Sequence, residues 1–122
     1  MVKPQLLLTM LAAVALAGGG SFTHSDIAHI KQICRVLAGA DSSPQQSDAI
    51  FDRLAPYAHD PMTIPGLHVV CDKRCGGLVQ LRDDADIYFS YPASPSGRSR
   101  IDTVVFRHHG KTLLSIGSDG ER

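Results

Sequence analysis

IDTVVFRHHGKTLLSI, residues 101–116, decides the fold. Ile101–His108 and Thr112–Ile116 are short runs rich in Val, Ile, Leu and Phe, which is the composition of strands. Between them His109-Gly110 makes a two-residue hairpin turn: glycine supplies the positive φ such a turn needs, and histidine tolerates it better than a β-branched residue does. With that turn fixed, Phe106 faces Leu113 and Val104 faces Ser115 on one side, while Val105 faces Leu114 and Thr103 faces Ile116 on the other. Both faces of the hairpin are then apolar.

Working outward, Leu67–Cys71, Leu78–Arg82 and Ile87–Tyr91 have the same character and are separated by Gly, Pro, Asp or Ser clusters, so five antiparallel strands are expected. Before Pro61 the spacing is helical. Ile27, Ile30, Cys34 and Leu37 recur at threes and fours, with Ser25 as the expected N-cap, Asp26 in the first turn and Gly39 as the stop. A second helix is expected from Ser43 as cap, Pro44 at the first position and Gln46 completing a capping box; Ile50, Phe51 and Leu54 form its stripe and Pro56 limits it to about Ala55. Helices followed by strands give an α+β domain, two N-terminal helices packed on a curled antiparallel sheet of about five strands. Two helices cover one side of such a sheet, so the second apolar face must be closed by curling, by a loop or by another protein.

The N-terminus predicts export. Lys3 precedes an apolar run from Leu6 to Ala17 broken only by Thr9, and Ala15-Leu16-Ala17 is a small-x-small cleavage site followed by three glycines. The run is shorter than the roughly 20 residues a membrane span needs. Residues 1–17 are therefore expected to be a secretory signal and 18–122 a single small domain, periplasmic or secreted, with no membrane attachment after cleavage. Leu16-Ala17-Gly18-Gly19 has glycine where a lipid-anchored protein carries cysteine.

The chain has 12 Lys and Arg against 12 Asp and Glu. Loss of Lys3 leaves a net charge of about −1, unlike the basic balance that phosphate binding favours, so no nucleic-acid partner is expected. Three cysteines in an oxidising compartment predict one disulfide and one thiol left over. Cys71 with Cys75 is the favoured pair, with Cys34 as a small buried apolar residue. Pairing of Cys34 with Cys71 is the alternative, since the longer loop gains about 4 kcal/mol against about 2 kcal/mol for the short one.

Ingredients for chemistry are present without an arrangement. Cys71 and Cys75 with His108 and His109 could make a thiol enzyme or a metal site, but neighbouring residues on a strand point to opposite faces, so the two histidines meet at one ion only if the turn bends them together. No metal or cofactor is expected. Asp83, Asp84 and Asp86 read as turn residues between two strands. The segment Pro92–Arg100 is a polar loop beside aromatic Phe89 and Tyr91, and loops of this kind carry contacts in binding proteins. Tyr91, Arg98, Arg100 and His109 are the candidate contact residues. An exported protein that binds another protein, as inhibitors and immunity proteins do, is the favoured function; a small exported thiol/His enzyme or metal-binding protein using Cys71, Cys75, His108 and His109 is the alternative.

Overall fold

The computed structural model describes residues 20–59, 73–96 and 98–122. The leader, Cys71 and the strand expected at Leu67–Cys71 lie outside the described residues. The fold is α+β as expected: two N-terminal helices, then a five-stranded antiparallel meander in the order β1-β2-β3-β4-β5 that does not close into a barrel.

Helix α1 (His24–Leu37) is capped by Thr23, two residues before the expected cap Ser25. Thr23 Oγ1 accepts from the Asp26 amide at 3.0 Å and the Asp26 carboxylate accepts from the Thr23 amide at 2.9 Å, a reciprocal capping box. Gly39, the expected stop, follows the last turn at φ +98°. Helix α2 (Pro44–Asp52) begins after Ser43, but the expected capping box is absent, because the Ser43 side chain makes no cap bond to the helix. Asp41 Oδ1 instead accepts from the Ser43 amide at 2.7 Å. A 3-10 turn at Ala55–Tyr57 carries Pro56 and ends in a bridge between Ala58 and Leu81.

Strands β1 (Arg74–Leu81), β2 (Ala85–Pro92), β3 (Thr103–His108), β4 (Lys111–Gly117) and the short β5 (Gly120–Glu121) build the sheet. The hairpin at residues 109–110 forms as expected: His109 and Gly110 sit at φ +52° and +78° between the paired His108 and Lys111. Its register does not. A bulge between Phe106 and Arg107 makes Leu113 an extra residue, so that Phe106 faces Leu114, Val105 faces Ser115 and Val104 faces Ile116. This corrects the two-sided apolar hairpin: Val104, Phe106 and Leu114 share one buried face, and Val105 and Ser115 stand on the other.

The core lies between that inner face and the helices. Ile30, Ile33, Cys34 and Leu37 of α1 and Ile50 and Phe51 of α2 cover Val79, Ile87, Phe89, Val104 and Phe106. Burial of each large side chain contributes about 1.5–3 kcal/mol of transfer free energy, which is what a domain of this size needs from a single core. Arg35 clasps Glu121 through two bonds of 2.9 and 3.0 Å, tying the far face of α1 to β5.

Candidate functional site

The outer face of the sheet is ordered in rows by the strand register. Leu78, Tyr88, Val105 and Ser115 stand side by side across β1 to β4. Leu78 is 38% exposed and Tyr88 44%, the largest exposed apolar side chains of the sheet. Polar rows flank this stripe. On one side Gln80, Asp86, Arg107 and Thr112 align, with Arg107 clamping Asp86 through two bonds of 3.0 and 2.8 Å. On the other, Arg74 pairs with Asp102 and donates to Ser90 Oγ at 3.1 Å. The outer face thus has an apolar centre flanked on two sides by charged side chains.

The loop after β2 is a strap rather than a free surface connection. The Gly39 amide donates to the Ile101 carbonyl at 2.7 Å, the Ile101 amide to the Ala40 carbonyl at 2.8 Å and the Ser42 amide to the Ser99 carbonyl at 2.7 Å, so the loop is stitched to the α1–α2 connection. Arg98 is engaged by Asp41 at 2.9 and 3.3 Å, and Arg100 Nε donates to the Gly39 carbonyl at 3.2 Å. The Arg98 guanidinium, with the Ser43 amide, holds the Asp41 carboxyl down at about 2. Tyr91 is only 9% exposed and stacks on Phe89 on the core side. The structure thus places Arg98 and Arg100 near each other on the helix side of the sheet, Tyr91 in the core, and His109 at the opposite end of β2.

That opposite end carries a second cluster. Asp83 and Asp84, at φ +60° and +53°, form the β1–β2 turn, consistent with aspartate as a turn residue. Asp83 reaches across to the β3–β4 turn, where His108 Nε2 lies 2.8 Å from Oδ2 and His109 Nε2 lies 3.1 Å from Oδ1. The Phe22 amide also donates to Oδ2 at 2.7 Å. Burial would push the Asp83 carboxyl up, but these donors overcome it and hold it at about 2. The two imidazoles are stacked with centroids 3.9 Å apart.

Neither cysteine of the described residues joins this cluster. Cys75 pairs with Tyr91 at the far end of β1, six residues from Leu81 and so roughly 20 Å along the strand from the histidine turn. The set Cys75, His108 and His109 is therefore not assembled at one point. Cys34 is a free thiol in the core, and burial pushes it up to about 12, the opposite of an activated nucleophile.

Neither a family model, a curated protein nor a solved structure matches this chain. The functional reading rests on geometry alone. Sequence reading missed Leu78 and Tyr88 as a surface pair and Asp83 as the partner of both histidines. For the first the signal was present: Leu78 and Tyr88 alternate out of phase with Val79, Ile87 and Phe89, which places them on the other face.

Proposed function

We propose that this chain is an exported protein-binding domain of the inhibitor or immunity type, and that it contacts its partner through the outer face of the sheet. The observation that carries this reading is the stripe of exposed Leu78 and Tyr88 with half-buried Val105 beside them, set on the paired strands and bounded by the Arg107–Asp86 and Arg74–Asp102 pairs. The stripe needs little ordering on association, because its side chains stand on paired strands rather than on a loop. Tyrosine and arginine at such a patch dominate binding energy, and the flanking ion pairs select partners by charge. Export rests on the leader of residues 1–17, and pairing of Cys71 with Cys75 fits a protein in which Cys34 is buried and Cys75 is already engaged.

The test is recovery of a partner by crosslinking in the exported fraction, followed by titration with that purified partner. Tyr88→Ala should weaken binding by about 30-fold or more, the loss expected at a hot-spot tyrosine, with the unfolding midpoint nearly unchanged. Arg98→Ala should leave affinity within about threefold, because its guanidinium is spent on Asp41 at the other face of the sheet. Retained affinity in the Tyr88 variant would move the contact surface elsewhere.

A further inference from the structure

We propose that Asp83, His108 and His109 form a site for a divalent transition-metal ion, zinc before others, that fastens the β1–β2 turn to the β3–β4 turn. Adjacent residues on a strand face apart, and this is the reason two neighbouring histidines seldom share an ion. Here the chain has already turned over. His109 sits at φ +52° in the hairpin, its ring lies flat on that of His108, and both Nε2 atoms converge on one carboxylate.

The spacing suits the ion. Ligand atoms on a tetrahedral zinc with bonds of 2.0–2.1 Å stand about 3.3 Å from one another. The two histidine-to-carboxylate separations, 2.8 and 3.1 Å, fall within about half an ångström of that value. All three ligand atoms lie within 4.8 Å of one another, so closure requires a modest swing of one ring. His109 is the ring able to swing, since its side chain is 56% exposed, whereas those of His108 and Asp83 are 16% and 11% exposed. The same exposure leaves an entry path and a fourth position for water. Two imidazoles and one carboxylate select zinc, copper(II) or nickel(II) over calcium and magnesium, which take oxygen donors.

The supporting contacts are those of a prepared site. The Phe22 amide fixes Oδ2 at 2.7 Å, and the Asp84 carbonyl accepts from the His109 amide at 2.8 Å, so both turns are braced without the ion. The His108 ring rests against Phe22, with centroids 5.7 Å apart. On binding, each imidazole presents its Nε2 lone pair and carries its proton on Nδ1; the protons that otherwise point at Asp83 are displaced to solvent or to that nitrogen. The cluster borders the outer face at the Asp86–Arg107 row, but the proposal does not depend on that face binding a protein.

The experiment is calorimetric titration of the tag-free full chain, stripped with chelator, with zinc sulfate. One ion per chain should bind with a dissociation constant on the order of 1 μM. Cobalt(II) in place of zinc should give the intense visible bands of low-coordinate cobalt. His109→Asn, chosen because asparagine tolerates the left-handed turn, should weaken zinc by at least about tenfold and abolish those bands. Asp83→Asn should do the same while keeping the other turn. His59→Gln should bind as the parent does, although His59 lines the groove beside Asp83 and Asp84. Absence of saturation up to about 1 mM zinc, parental affinity in His109→Asn, or loss of binding in His59→Gln would each overturn the proposal.

Discussion

Gly76 is the position at which one added methyl group should do most harm. A Cβ built there would lie 2.2 Å from the Phe89 carbonyl oxygen and 2.9 Å from the Ser90 Cα, both backbone atoms of the neighbouring strand. A tolerable carbon–oxygen approach is at least about 3.0 Å, so β1 and β2 would have to part by roughly 0.8 Å at this point. Ladder bonds near 2.9 Å stretched by that amount pass beyond about 3.5 Å and cease to be hydrogen bonds. Loss of two such bonds at about 1 kcal/mol each, with about 1–3 kcal/mol of residual overpacking, gives about 3–5 kcal/mol for Gly76→Ala. Gly110→Ala supplies the contrast, because nothing stands within 4 Å of its Cβ and only φ +78° opposes it. That variant should lose about 1–2 kcal/mol from backbone strain alone. Urea unfolding reads both as shifts in midpoint at unchanged slope. A Gly76 variant within about 0.5 kcal/mol of the parent, or a Gly110 variant more damaged than it, would show that the strands separate freely and refute the steric argument.

Phe106 is fully buried between Ile87 and Leu114, so Phe106→Ala should cost about 3–5 kcal/mol, read by the same urea curves; a loss below about 1 kcal/mol would mean that the core collapses around the site. Cys34, its thiol held at about 12 by burial, should resist an aromatic disulfide reagent in the folded protein and react once denatured; rapid labelling of the native chain at this residue would contradict its placement. Asp41 and Asp83 each sit at about 2 against an unfolded value near 3.9, so the stability they contribute is complete above about pH 5 and is lost as pH falls through about 2. Arg98→Ala should raise the Asp41 carboxyl toward its ordinary value in a carbon-detected NMR titration, moving that loss to higher pH; an unmoved Asp41 would show that the Ser43 amide alone holds it.

Periodicity and turn chemistry carried the architecture, because each is a local property. The apolar threes and fours of Ile27 to Leu37 placed α1, Pro44 opened α2, and His109-Gly110 made its turn, all without reference to distant residues. Ser25 failed as a cap because Thr23, two residues earlier, forms the reciprocal pair with Asp26. The turn cluster was beyond such reading. Asp83 and His108 are 25 residues apart, and their meeting requires the two hairpin turns to end at the same height, which only the registers of β1–β2, β2–β3 and β3–β4 together determine. For the same reason the arginines of the loop after β2 read as free contact residues, although Asp41 and Gly39 engage them across 57 and 61 positions of sequence.

The bulge at Phe106/Arg107 has the widest consequence of these non-local effects. Without it, Phe106 would face Leu113, and Leu114 would stand beside Val105 on the outer face, extending an apolar surface across β3 and β4. The extra residue turns Leu114 inward against Phe106 and brings Ser115 out beside Val105. Apolar exposure on the outer face is then concentrated at Leu78 and Tyr88, on β1 and β2, and fades toward β4. A partner recognising this face should therefore be centred on the β1–β2 side, where Gly76 keeps the two strands in close approach, and removing Leu113 should keep Leu114 inward and Ser115 outward, because Arg107–Thr112 and Phe106–Leu114 then become successive rungs of a regular ladder. Light scattering and urea unfolding of the deletion variant beside the parent test this: a soluble, folded variant is expected, and aggregation would show that Leu114 had turned outward and that the register does not follow the pairing described.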